Sequence, residues 1–202
     1  MGNRGRFGKY GEIKRMNRLK RGRKSPPFSH GQGATAFAHG PTFRESGEEK
    51  RPVKIRPARP SDSRFIVQLS GSVFRLYGPY EKVIRGWLES GMTLTLVALM
   101  NRKPAGFAMI SHLSQEANPQ QVSELLAIAV TPEKQRMGIG ETLLKEVEKK
   151  AAQMNITELF LHTAEENLAA QNLFAKNKYV SWGINESFYP AGQNALIMSK
   201  KI

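Results

Sequence analysis

The 202-residue chain contains no cysteine. That excludes a disulfide framework, a zinc–thiolate site and a cysteine nucleophile. Long apolar runs are missing too: none approaches the roughly twenty residues that a membrane-crossing helix requires. The expectation is a cytoplasmic protein without a membrane contact and without a metal. Acidic residues are scarce and unevenly placed. The formal net charge is +14, and residues 1–54 hold 14 Lys or Arg against 4 Glu, while the other 148 residues hold 17 basic and 13 acidic side chains. The basic character therefore belongs to the amino-terminal segment.

That segment, residues 1–52, is rich in Gly, Arg and Lys, and its glycines and Pro26-Pro27 interrupt every helical period. With few apolar side chains to offset the entropy of ordering, it is expected to be a disordered basic tail. Its densest charge block runs from Lys14 to Lys24, with Phe7, Tyr10 and Phe28 nearby. Cations at this density bind phosphate backbones without sequence preference, and the aromatics could stack on bases. An RNA- or ribosome-contacting arm is one reading; a solvated tail or a removable Arg-rich segment is the other. A myristoylation signal does not fit, because Arg6 stands where that motif needs Ser or Thr.

From Val53 the texture changes, and residues 53–202 read as one domain of mixed α/β class. A short strand at residues 53–55 precedes Pro60-Ser61-Asp62, a helix start that Ser61 or Asp62 can cap. Phe65, Ile66, Leu69, Val73 and Leu76 then recur at helical spacing, and Tyr80, Val83, Ile84, Trp87 and Leu88 give a second helix that ends at Gly91. Two strands follow, at residues 93–100 and 105–113, joined by a turn at Asn-Arg-Lys-Pro. A polar loop at 114–121 leads to the next strand. After the long helix described below come a strand at 157–163, a short helix opened by Asn167, and a closing pair of strands at 179–188 and 195–199 around Pro190-Ala-Gly-Gln.

The stretch that organises the domain is Val122 to Gly140. Val122-Ser-Glu-Leu-Leu-Ala-Ile-Ala-Val130 is a nearly continuous apolar run stopped by Thr131-Pro132, the pattern of a buried strand ending in a turn. Beyond Gly138-Ile139-Gly140, the residues Leu143, Leu144, Val147, Ala151 and Met154 fall at helical spacing. A strand thus feeds a helix through a glycine-containing loop. The first N–H groups of such a helix lack partners and its dipole adds positive charge, so phosphate oxygens are natural ligands there. The geometry predicts a pyrophosphate site.

Gln135-Arg136-Met137-Gly138-Ile139-Gly140 after a hydrophobic strand resembles the Gln/Arg-x-x-Gly-x-Gly/Ala signature of the GNAT superfamily of acyl-CoA-dependent N-acetyltransferases. Asn167-Leu-Ala-Ala-Gln-Asn-Leu-Phe174 resembles that family's Asn-x-x-Ala-x-x-Leu-Tyr helix, and Asn177-Lys178-Tyr179 follows where most members carry Gly-Phe. The pattern is most similar to the bacterial ribosomal-protein N-acetyltransferases. The resemblance implies a mixed, mostly antiparallel sheet flanked by helices, with acetyl-CoA as co-substrate. It implies that the backbone of Gln135, Arg136, Met137, Gly138, Ile139 and Gly140 holds the coenzyme A pyrophosphate, with Asn167 a further contact. It also implies that the pantetheine arm lies along the strand near Ile128 and Val130, where that strand and the next splay apart, with the Ile128 N–H toward the thioester carbonyl.

Acyl transfer to an amine needs a neutral nucleophile. A lysine with pKa about 10.4 is neutral in roughly one molecule in 2,500 at pH 7, a deficit near 4.6 kcal/mol, whereas an α-amine near 7.8 is over a tenth neutral. Glu124 is the first candidate base. A carboxylate on so apolar a strand belongs at the strand's open end or in a cleft, and its place resembles that of the general-base glutamate of histone-type members. His162 is the second. It stands where the ribosomal-protein enzymes carry a glutamate base, and an imidazole with pKa near 6.5 can do the same work.

Phe174 departs from the pattern, because many members have there a tyrosine held to protonate the leaving thiolate; Tyr179 and Tyr189 are the candidate substitutes. The expected acceptor-facing loops are those around Tyr77 to Tyr80 and Tyr189 to Gln193, with Glu81 and Glu186 the nearby carboxylates. The expected activity is acetyl transfer to a primary amine by direct attack, with a protein α-amine or lysine favoured. Polyamines and aminoglycosides remain open as small-molecule acceptors, and a coenzyme-binding, RNA-tethered protein with little catalysis is the alternative from another class.

Overall fold

The computed structural model describes residues 53–112 and 121–202. The basic segment 1–52 and most of the 114–121 loop lie outside the described residues. Among the described residues, seven strands form one sheet in the order β1-β2-β3-β4-β5-β7-β6. They are β1 (Lys54–Pro57), β2 (Thr93–Met100), β3 (Lys103–Ser111), β4 (Val122–Val130), β5 (Glu158–Ala164), β6 (Val180–Asn185) and β7 (Ala195–Lys201). Every neighbouring pair is antiparallel except β4 and β5, which run parallel. Four α-helices cover the sheet: α1 (Ser63–Val73), α2 (Tyr80–Ser90), α3 (Ile139–Gln153) and α4 (Leu168–Lys176).

The periodicities explain the layers. Ile66 and Leu69 of α1 and Ile84 and Trp87 of α2 pack on Val97, Phe107, Met109, Ala127 and Ala129, forming a core on one face of the sheet. On the other face Leu143, Leu144 and Val147 of α3 and Phe174 of α4 pack on Leu96, Ala98, Ala108, Leu125, Leu159 and Leu161. Both faces are buried, so the central strands read as continuous apolar runs rather than alternating ones.

The β4–β5 pairing positions the site. Residues 122–125 of β4 pair in register with residues 158–161 of β5, and among the described residues the pairing stops there. Beyond Leu125 the ladder between β3 and β4 shifts by one residue, because Ile110 faces Leu125 while Met109 faces Ala127. Leu126 is the extra residue of a β-bulge, which bends and twists its strand. β4 therefore turns away from β5, while β5 stays paired with β7 through Ala164. A wedge opens between two parallel strands.

Several sequence expectations are corrected. The β2–β3 turn is a two-residue turn at Asn101 and Arg102, both with positive φ (52° and 63°), and β3 begins at Lys103. Pro104 is accommodated because the ladder slips beside it, Leu99 facing Pro104 and Ala98 facing Gly106. Asp62 does not cap α1. Its carboxylate accepts hydrogen bonds from the Arg59 N–H (2.7 Å), capping the 3-10 turn Pro60–Asp62 that precedes α1, and from Arg56 (2.6 and 3.0 Å), which ties β1 to the helix entry. Leu76 does not continue α1. The helix ends at Val73, and Leu76 lies in a following 3-10 turn, largely exposed. β6 is shorter than expected, ending at Asn185, and β7 runs on to Lys201.

Candidate active site

The turn after β4 holds the expected phosphate-binding residues. Gln135 donates from Nε2 to the Val130 carbonyl (3.2 Å), drawing the turn back onto the end of β4. Arg136 (φ 61°) and Gly138 (φ 81°) are both left-handed. Left-handed residues in such a turn direct successive N–H groups toward one concave side, an arrangement that binds anions. Gly138 is the N-cap of α3, and no side chain among the described residues caps that helix. Its first N–H groups are therefore open to a ligand. A Cβ built on Gly138 would meet nothing within 4 Å among the described residues. Ile139 anchors the helix in the core, and only its backbone faces the turn. Met137 is half exposed.

Ile128 and Val130 pack toward the α3 side of β4, and the Cβ position of Gly140 lies 3.9 Å from Val130 and 3.5 Å from Leu173 of α4. α3, α4 and the end of β4 thus meet without a bulky residue between them. Asn167 caps α4: its Oδ1 accepts from the Ala170 N–H (3.1 Å). These residues fit a pyrophosphate with a slender arm running into the β4–β5 wedge.

At the apex of that wedge stand the two candidate bases. Glu124 faces Phe160 on the second-last paired rung, and His162, two residues beyond Phe160 and past the final Leu125–Leu161 pair, projects to the same side. His162 Nδ1 lies 2.9 Å from Glu124 Oε1, with both side chains mostly buried (11% and 18% exposed). The His162 ring is stacked flat on Phe188, at 4.2 Å between centroids and 11° between planes, and Phe160 meets it edge-on at 6.0 Å. With the carboxylate beside Nδ1, that nitrogen carries the proton in the neutral ring, and Nε2 is left with the lone pair.

The two loops expected to face the acceptor meet next to this pair. Tyr189 packs on Tyr77 (4.9 Å), on Tyr80 (6.2 Å) and edge-on against Phe188 (5.1 Å). Gln193 donates from Nε2 to the Leu76 carbonyl (2.7 Å), and a Cβ on Gly78 would stand 2.8 Å from the Pro190 side chain. A carboxylate that the sequence reading overlooked, Glu166, lies close enough to Tyr77 to help burial hold its hydroxyl above the usual phenol range.

The candidate substitutes for the absent tyrosine are placed unequally. Tyr179 is buried in the core beside Phe174, with its hydroxyl sealed from water and no hydrogen-bond partner among the described residues. Burial first, and the nearby Glu148 carboxylate second, push this phenol far above its ordinary range. Tyr179 is a core residue. Tyr189 belongs to the acceptor-side aromatic cluster.

Sequence reasoning missed Phe188 as the partner of His162, and it missed Ser111 and Ser123 beside Glu124. A serine next to a glutamate on an otherwise apolar strand was the available signal, since buried polar groups need partners.

Comparison with known proteins agrees with this fold. The family model described as "Acetyltransferase (GNAT) family" matches residues 65–179, more than half of the chain. Among solved structures, the ribosomal-protein-S18-alanine N-acetyltransferase from Escherichia coli superposes with a TM-score of 0.60 at 22% identity, over 75% of this chain and 94% of that one. The PaiA N-acetyltransferase from Thermoplasma acidophilum, in complex with coenzyme A, gives 0.58 at 20% identity, over 75% and 99%. NAA60 from Arabidopsis thaliana, in complex with a bisubstrate analogue, gives 0.64 at 17% identity, over 75% and 98%. By sequence alone, no curated protein matches. The mixed sheet flanked by helices is the fold that this chain shares with these N-acetyltransferases. The chain belongs to the acetyltransferase (GNAT) family and is an acetyltransferase; enzymes of that family use acetyl-CoA.

Proposed function

We propose that this enzyme acetylates the α-amine of a polypeptide acceptor, with His162 and Glu124 acting together to take the proton from the attacking nitrogen. The observation that carries the reading is the 2.9 Å contact between the two side chains at the apex of the wedge, on the side closed by Phe188 of the acceptor loop. Acetyl-CoA supplies the activated acetyl group as a thioester. The backbone of residues 135–140 holds its pyrophosphate, Asn167 adds a contact from α4, and Ile128 and Val130 line the arm.

His162 Nε2 accepts the amine proton. Glu124 fixes the ring's tautomer through Nδ1 and stabilises the imidazolium that forms. Neither Phe174, which has no hydroxyl, nor Tyr179, whose hydroxyl is sealed, offers a proton to a leaving group. A thiolate whose conjugate acid has a pKa of about 8.5 leaves tolerably near neutral pH.

An α-amine suits this site better than a lysine, since it is already partly neutral at pH 7 and needs far less help from a base. The acceptor side is walled by the rings of Tyr77, Tyr80, Phe188 and Tyr189. One of the similar structures is named as a ribosomal-protein-S18-alanine N-acetyltransferase, an enzyme with a protein acceptor. The test is thiol release from acetyl-CoA by the full chain against two peptides, one with a free α-amine and one Nα-blocked with a single lysine. The free α-amine is expected to react at least ten times faster; preference for the blocked peptide would overturn the assignment.

For residues 1–52, the charge supports an arm that contacts RNA or a ribosomal surface, with residues 53–202 as the catalytic domain. Labelled RNA should bind the full chain and not a chain beginning at Val53. Equal binding by both would end that reading.

A further inference from the structure

Past the last paired residues of the β3–β4 ladder, Ile110 and Leu125, backbone pairing between the two strands ends. The next residue of β4 is Glu124, and its N–H goes to a side chain, Ser111 Oγ, at 3.0 Å. Ser111 Oγ in turn lies 3.0 Å from Ser123 Oγ, and Ser123 Oγ donates to the Ser111 carbonyl at 2.7 Å. The protons have one consistent assignment. Glu124 N–H donates to Ser111 Oγ, the Ser111 hydroxyl donates to Ser123 Oγ, and the Ser123 hydroxyl donates to the Ser111 carbonyl. Both serines are buried, at 2% and 1% exposure, and the circuit leaves no hydroxyl proton unspent.

We propose that Ser111 is a positioning residue for the catalytic pair, fixing the backbone of Glu124 so that its carboxylate meets His162 Nδ1. The inference rests on the assignment of proton transfer to Glu124 and His162. The physical need is specific to this place. Glu124 sits where β4 is about to leave β5, with one rung of parallel pairing beyond it and a bulge at Leu126 beyond that. A strand that bends there can rotate at Glu124 unless its other edge is held. The β3 backbone no longer holds it, and the serine hydroxyl does. A small rotation of the Glu124 backbone is amplified along the side chain, and hydrogen bonds weaken steeply with misalignment. The serine pair also answers a composition puzzle, because buried polar residues on central strands are retained when each has its partner.

The experiment uses the full chain with Ser111→Ala, Ser111→Thr and Ser123→Ala, with Glu124→Gln and His162→Ala as references. Three quantities are read: kcat and KM with the α-amine peptide, the urea unfolding midpoint, and the Nδ1–H resonance of His162 by proton–nitrogen NMR. Ser111→Ala is expected to lower kcat about ten-fold with KM changed less than about two-fold, since it removes one hydrogen bond to the pair's backbone. It is also expected to shift or broaden the His162 Nδ1–H resonance. Ser111→Thr, which keeps the hydroxyl, restores both, and Ser123→Ala is intermediate.

An unchanged resonance and kcat in folded Ser111→Ala overturns the proposal. So does a loss of activity that only tracks the folded fraction and leaves the resonance in place. If Glu124→Gln and His162→Ala keep full activity, the catalytic reading fails instead. The resonance alone then decides whether Ser111 positions the pair.

Discussion

Replacing Glu124 by Gln keeps the size of the side chain and a hydrogen-bond partner for His162 while removing the charge. The contact is 2.9 Å long between side chains that are 18% and 11% exposed, so it is partly shielded from water without being deeply buried. A hydrogen bond to a charged group contributes about 1.5–3 kcal/mol, against about 1 kcal/mol for a neutral one. The charge matters most as the His162 imidazolium forms, so the loss falls on the transition state. A net loss of about 1–2 kcal/mol corresponds to roughly five- to thirty-fold in kcat/KM.

The amide adds an ambiguity that the assay must resolve, because its NH2 could turn toward the ring and force the other tautomer. Glu124→Gln, Glu124→Ala, His162→Ala and the two double variants are therefore measured together as thiol release with the α-amine peptide. Two residues acting as one unit give strongly non-additive losses, with a coupling of about 0.5–3 kcal/mol. The double variant should be little worse than His162→Ala alone. Full turnover in Glu124→Gln and Glu124→Ala would refute the reasoning, and additive losses would show two groups acting separately.

Gly138→Ala is expected to weaken coenzyme binding about five- to ten-fold in calorimetry. The added methyl meets nothing within 4 Å, so the cost is the left-handed backbone alone, about 1 kcal/mol. Unchanged affinity would mean that the turn does not need that conformation. Tyr179→Phe removes a buried hydroxyl whose polar neighbour among the described residues is the Glu148 carboxylate, away from the β4–β5 wedge, so turnover should stay within about two-fold of the original; a large fall in kcat would restore Tyr179 as a proton donor. Hydrogen bonds from Arg56, more than any other cause, hold the Asp62 carboxyl below its usual range against the opposing effect of burial. Its contribution to stability is therefore complete above the unfolded value of about 3.9 and is lost as the pH falls through the lower folded value. Asp62→Asn should unfold at lower urea than the native chain at pH 7, with the gap narrowing below about pH 4; an equal gap at pH 3 would contradict the pairing.

The turn from Gln135 to Gly140 was legible because everything it needs is local. A stopped apolar run, two glycines and a helical repeat specify strand, turn and open helix end without reference to the rest of the chain. The helix faces were legible for the same reason: Ile66 and Leu69, and Leu143 and Val147, each lie on the core side that their spacing demands. Where two local signals competed, sequence reasoning went astray. Leu76 kept the period of α1 but lies beyond the helix end, and Asp62 caps not α1 itself but the 3-10 turn before it, where Arg56 of β1 holds it as well.

What the sequence by itself determined, then, is the inventory: the elements, their order and the residues able to bind phosphate or carry a proton. The tertiary structure alone decided that Glu124 and His162, 38 residues apart, form a pair. That outcome depends on the parallel register of β4 with β5, and a slip of one residue would send the two side chains to opposite faces of the sheet. It depends equally on a bulge at Leu126, on Phe188 arriving from the last loop, and on two serines closing a circuit across strands. Each of these is a contact between distant segments, fixed by how the layers pack rather than by any neighbour along the chain.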